Sequence, residues 1–203
     1  MLHQIRLAME NEDIKPFESL VEIDETYVGG KPRWRPTPKG IDLSLLDSSE
    51  GYSVIETPEV PSGKMGRGTK KTPVFGIKER DSGKVYAKIM LPDEAGKKLT
   101  GKQLYAIIEK RCVEGITIIT DDFSGYKILD KPDPVKVIEA LDPTPRYDHK
   151  TVCHSSGVYV APGGVHTNGI ESFWALFKRG YHGTYHSMSV KFMQRYLYEF
   201  CFR

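Results

Sequence analysis

Two acidic residues stand where acids are least expected. Asp24 in VEIDET and Asp121 in ITIITDD lie at the apolar ends of two short β-rich runs. Aspartate is depleted in strands and costly to bury without a partner, so each needs a reason. The ends of neighbouring strands come within a few ångströms of one another, and two carboxylates so placed repel unless a cation lies between them. A hard cation with oxygen ligands, Mg²⁺ or Mn²⁺, is the expected partner. Glu171 in HTNGIESFWALFKR offers a third acid from a helix. At helical spacing Asn168, Glu171, Ala175 and Lys178 share one face, distinct from that of Phe173, Trp174 and Phe177. Two ions roughly 4 Å apart in such a cage activate an attacking oxygen and stabilise a leaving one, which is the chemistry of phosphoryl transfer. Two positions stay open. Asp122 follows Asp121 directly, and only one of the pair faces the site if the strand runs through both. Asn168 stands beside Glu171 as a neutral, weaker ligand.

These residues need elements that hold them. FESLVEIDETYVGG reads as a strand that stops in a tight turn at Gly29 and Gly30. TPVFGIKE and KVYAKIML, separated by a DSG turn, form a hairpin expected beside it. LTGKQLYAIIEKRCVEG has a cap at Thr100, an apolar face of Leu104, Ile107, Ile108 and Cys112, and a glycine stop at Gly115. GITIIT is a β-branched strand with both faces buried. The stretch 127–150 is a helix-poor connection, and TVCHSSGVYVAPGGV a further strand pair. The final segment carries two apolar stripes, Ile170, Phe173, Trp174 and Phe177, then Met193, Leu197, Phe200 and Cys201, on either side of a break at Gly183. This element order predicts an α/β fold, a mixed sheet flanked by helices with a long C-terminal helical segment.

The blocks VEIDETYVGGK, ITIITDDFSGY and HTNGIESFWALFKRGYHGTYHSMS resemble the DDE catalytic domain of bacterial insertion-sequence transposases, the integrase-like, ribonuclease H-like class. The resemblance implies a ribonuclease H-like sheet and a metal-dependent polynucleotidyl transferase that cleaves transposon ends and joins them to target DNA. It places the catalytic and metal-binding acids on Asp24, Asp121 and Glu171, with Asn168 assisting, and a basic residue seven positions after the last acid on Lys178. It implies a double-stranded DNA substrate and a homodimer in the active complex. Residues 1–16 are then the remnant of an N-terminal linker or helix, and 17–203 the catalytic domain with a mobile basic insertion around 31–72.

The remaining composition fits that reading. The formal net charge is +2, yet residues 1–60 hold six Lys and Arg against twelve Asp and Glu, while residues 60–84 hold seven against two. Basic ground beside acidic ground suits a protein that binds a polyanion and cages cations. Lys178, Arg179, Lys70 and Lys71 are the candidate DNA contacts, which would position phosphates without reading sequence. Cys112, Cys153 and Cys201 are too scattered for a disulfide framework or a zinc ribbon. No apolar run approaches membrane-spanning length, so the expected setting is the cytoplasm, nucleoid-associated when bound to DNA.

Overall fold

In a computed structural model of the chain, the residues described are 2–10, 15–29, 71–133 apart from 95 and 98, 137–138, 143–153, 160, 162 and 164–202. The chain divides into two units, residues 1–29 with 71–203, and residues 30–70. The second lies outside the described residues, and with it Lys70 and nearly all of the expected basic insertion.

The elements of the first unit are α1 (Leu2–Ala8), β1 (Val21–Val28), β2 (Thr72–Glu79), β3 (Val85–Ile89), α2 (Gly101–Arg111), β4 (Thr117–Asp121), a 3₁₀ turn (Ser124–Ile128), β5 (Asp148–Val152), α3 (Asn168–Gly180), a π-helical turn (Tyr181–Tyr185) and α4 (Val190–Phe202). The strands form one sheet in the order β3-β2-β1-β4-β5. β1 pairs antiparallel with β2, and β2 with β3, while β4 runs parallel to β1 and to β5. This is the ribonuclease H-like α/β arrangement expected from the sequence.

Period-two alternation sorts the strand side chains into two cores. Val21, Ile23, Phe75, Ile77 and Ile118 pack under α2 with Leu104, Ile108 and Cys112. Val28, Val74, Ala87 and Ile89 pack on the opposite face with Ile170, Phe173, Trp174 and Phe177 of α3 and Met193, Leu197 and Phe200 of α4. At ~25 cal/mol per Å² these two apolar layers are the main force holding the helices to the sheet. One glycine sets how closely α3 docks. A Cβ at Gly76 would stand 2.5 Å from the Trp174 ring and 3.1 Å from Ile170 Cδ1, so the indole lies directly on the β2 backbone.

Thr100 caps α2, as the sequence predicts, and the structure adds a full capping box with Gln103. The helix closes earlier than its glycine suggests. Arg111 is its last residue and Cys112 is already extended, because Phe17 takes over as partner: its amide donates to Arg111 O and its carbonyl accepts from Val113. Gly115, at φ +82°, serves the turn into β4 instead. In the expected strand pair at 151–165, Thr151 and Val152 end β5, which starts earlier, at Asp148, and residues 154–159 lie outside the described ones. α1 joins α4 through a buried ion pair, Arg6 Nε to Glu199 Oε2 at 2.8 Å, with the guanidinium 4.2 Å from the Tyr196 ring centre. Among the described residues, no helix is long and apolar enough to cross a membrane.

Candidate metal centre

β1 carries acids on both of its faces. Glu22 and Asp24 share the α3 side of the strand and Glu25 lies on the α2 side, following the alternation that sends Ile23 to the α2 core. Parallel pairing with β4 is recorded at Val21 with Ile118 and Glu22 with Ile119. Two residues further along both strands stand Asp24 and Asp121. Sequence reasoning put Asp24 at the end of its strand. It is instead the fourth residue of eight, and the strand continues beside β2 to Val28. The strand that ends there is β4, whose last residue is Asp121. Carboxyl ends of parallel strands are where open α/β sheets hold their ligands, since the backbone stops filling the space there.

Oxygen atoms of Asp24, Glu25 and Asp121 all lie within 4.8 Å of one another. Each acid is held by its own partners. Asp121 Oδ1 accepts from the Phe123 amide at 3.1 Å. Glu25 Oε2 accepts from the Tyr126 hydroxyl at 2.8 Å, and Tyr126 is buried in the α2 core, where desolvation keeps its phenol protonated well beyond the usual range. Behind Asp121, the Thr120 hydroxyl lies 2.9 Å from His149 Nε2, and His149 Nδ1 lies 2.6 Å from Asp130. Asp122 is exposed and faces elsewhere, with Oδ2 accepting from the Cys153 thiol at 3.5 Å.

Glu171 is exposed in the first turn of α3 and is not one of the three converging acids. Its Oε1 accepts from the Thr167 hydroxyl at 2.9 Å, and its charge reaches Asp24. Burial, the adjacent Glu25 charge, and those of Asp121 and Glu171 together push the Asp24 carboxyl up to about 7. Acids crowded into a desolvated pocket without a cation take up protons in this way. An all-carboxylate donor set of this spacing suits a hard divalent ion. Asn168 is exposed, one helical turn before Glu171. Lys178 and Arg179 are exposed in the last turn of α3, roughly 10 Å along the axis from Glu171 at 1.5 Å per residue. Lys71 is half-buried just ahead of β2.

Sequence reasoning passed over Glu25 as a flanking residue, and alternation alone argued for doing so. It also passed over a groove of about 530 Å³ between α2 and the 3₁₀ turn, lined by Thr100, Lys102, Phe123, Gly125, Lys127 and Lys131. A Cβ at Gly101 would lie 2.8 Å from Gly125 O, so paired glycines bring its two walls together. The only signal in the sequence was the lysine spacing after Asp121.

Residues 17–203 match the family described as the ISXO2-like transposase domain. No curated protein matches the chain. Among solved structures it is similar to one described as the CryoEM structure of simian T-cell lymphotropic virus intasome in complex with PP2A regulatory subunit B56 gamma, at 10% identity and a TM-score of 0.39. That similarity covers 91% of this chain and 48% of the other, so the chain spans about half of that protein's length.

Proposed function

This chain belongs to the ISXO2-like transposase family, and from that premise we propose that it is a DNA transposase catalytic domain, cutting transposon ends and joining them to target DNA. The observation that carries the proposal is the convergence of Asp24, Glu25 and Asp121 oxygens within 4.8 Å at the carboxyl end of β4. Asp24 and Asp121 are the assigned metal ligands, with Glu171 completing the set from α3 and Glu25 as a further oxygen donor. Mg²⁺ or Mn²⁺, held there as two ions, would supply the charge that stabilises attacking and leaving oxygens in phosphoryl transfer.

The chain's own residues do the rest. Tyr126 and the Phe123 amide fix Glu25 and Asp121, so that little reorganisation accompanies the reaction. Thr167 orients the Glu171 carboxylate. Asn168 stands ready on the same helical turn to donate to or accept from a substrate oxygen. Lys178, Arg179 and Lys71, with Lys102, Lys127 and Lys131 of the groove, are the assigned phosphate contacts on double-stranded DNA, and two copies of the chain would hold the two element ends.

A strand-transfer assay with a pre-cleaved transposon end tests this directly. Joined product with the parent chain and none with Asp24→Asn is the expected result. Cleavage without joining would instead make the domain a ribonuclease H-like nuclease, and parent-level joining by Asp24→Asn would remove the acids from the chemistry.

A further inference from the structure

Helix α3 must enter at a fixed height for Glu171 to face Asp24, yet the side chain at its N-cap does not cap its backbone amides. Thr167 occupies the cap position without a side-chain cap bond, because its hydroxyl is committed to Glu171. An N-terminal amide left buried and unpaired is destabilising, so another acceptor is required. Glu22 provides it from 148 positions away in sequence: its Oε2 accepts from the buried Ile170 amide at 2.9 Å. A negative charge at that end of a helix is further favoured by the aligned peptide dipoles.

The contact is built rather than incidental. The Glu22 side chain is 2% exposed, in a strand interior where glutamate has no intrinsic preference. Its Oε1 accepts from Arg80 Nε at 2.9 Å and pairs with Arg80 Nη2 at 2.9 Å. The same guanidinium also donates to the carbonyls of Gly164 and His166, in the segment leading into α3. His166 Nδ1 lies 3.4 Å from Glu22. Lys78 on β2 donates to Gly169 O at 3.1 Å. Gly169 itself is the space the carboxylate fills, since a Cβ there would stand 2.7 Å from Glu22 Oε2.

We propose that Glu22 is a positioning residue for the acid site, locking the first turn of α3 onto β1 and thereby setting where Glu171 stands relative to Asp24. The geometry is direct: Glu22 and Asp24 are two apart on one face of β1, and Ile170 and Glu171 are adjacent on α3. This inference rests on the metal reading of the site and adds to it a residue that touches no metal.

The test uses Glu22→Ala, Glu22→Gln and Gly169→Ala in the full chain, with two readouts: amide hydrogen exchange at Ile170, and Mn²⁺ affinity by electron paramagnetic resonance. Glu22→Ala should lose Ile170 protection and bind Mn²⁺ about tenfold more weakly, the scale typical of residues that orient metal ligands. Glu22→Gln keeps an oxygen acceptor of the same reach and should recover most of both. Gly169→Ala should reproduce the alanine phenotype by displacing the carboxylate, and it stands in if Glu22→Ala does not fold. A folded variant that loses Ile170 protection with Mn²⁺ affinity unchanged reduces Glu22 to a helix cap and overturns the proposal. So does unchanged Ile170 protection. If the parent itself binds no Mn²⁺, the metal reading fails separately, and the clamp is then judged on Ile170 protection and the Glu171 side-chain carboxyl resonance.

Discussion

Two acids on adjacent strands, Glu79 buried and Asp24 half-buried, have opposite fates. Glu79, at the end of β2, is pressed toward the neutral form by burial, yet its carboxyl is pulled down to about 2 by the Ser82 hydroxyl, the Glu18 and Ser19 amides and the Lys84 ammonium. Asp24, on β1, is pushed up to about 7 by burial and by the Glu25, Asp121 and Glu171 charges. Every lone pair of Glu79 that matters has a donor, and its contacts tie the start of β1 to the hairpin. Asp24 accepts one backbone amide, that of Glu25, and otherwise stands among the like charges of Glu25, Asp121 and Glu171. A satisfied buried carboxylate holds a fold together, whereas one packed among like charges marks a place where the protein forgoes stability for an external cation.

The most decisive way to break this contrast is to supply the cation. With Mn²⁺ at about a hundred times its dissociation constant, the parent should gain about 2.7 kcal/mol, a rise of roughly 5–10 °C in melting temperature for a domain of this size. Asp24→Asn and Asp121→Asn should each abolish that rise, and Glu79→Gln should leave it intact. Calorimetry across the series checks it; an equal metal response in all four proteins would erase the distinction between the two acids.

The pH dependence sharpens the same point, because the two acids tilt stability in opposite directions. The Asp24 carboxyl is raised in the fold, so the folded state binds more protons than the unfolded one between about pH 4 and pH 7, and stability falls as pH rises through that window. The penalty above pH 7 is up to about 4 kcal/mol, and Asp24→Asn should remove it in metal-free buffer. The Glu79 carboxyl is depressed, so its contribution, on the order of 3 kcal/mol, is present above about pH 4.5 and lost as pH falls toward 2. Glu79→Gln should therefore flatten only the acid side of a urea-melt series, and Asp24→Asn only the neutral side.

How much of this was legible in the sequence follows from range. The cap at Thr100 and the stripes of α3 and α4 are written in nearby residues, and local pattern found them. The ribonuclease H-like sheet came through a resemblance, since strand order is set by contacts across the whole chain. Asp24 and Asp121 were selected because acids contradict their apolar surroundings, a local signal of a distant partner. Glu22 and Glu25 gave no such signal, for VEIDET reads as an acidic strand whatever each acid touches. Ile170, Arg80 and Tyr126, which give those two their roles, lie 58 to 148 positions away. Gly76 was equally silent. Its meaning is the Trp174 ring on top of it, and Gly76→Ala should cost about 1–3 kcal/mol by overpacking that contact. Because Gly76 is the β2 partner of Asp24, the displaced α3 should also weaken Mn²⁺ binding, an effect no simple loss of stability predicts for the folded fraction.

The smallest expected effect concerns the groove beside the acids. Lys102, Lys127 and Lys131 are exposed and line one cleft, and the 3₁₀ turn that forms its wall also carries Tyr126, the partner of Glu25. DNA phosphates seated there would lie on an element physically continuous with the proposed metal centre. Each phosphate contact contributes a slope of about −0.9 to log K against log salt on duplex DNA, so each Lys→Gln change should reduce the slope by about one and leave sequence preference untouched. Lys110 sits on the same helix, about 12 Å further along it, with the same charge and exposure but outside the cleft. Lys110→Gln is therefore the control that separates a located phosphate track from a general loss of positive charge. Equal slopes for Lys110→Gln and Lys127→Gln in fluorescence titrations would place the DNA elsewhere on the domain.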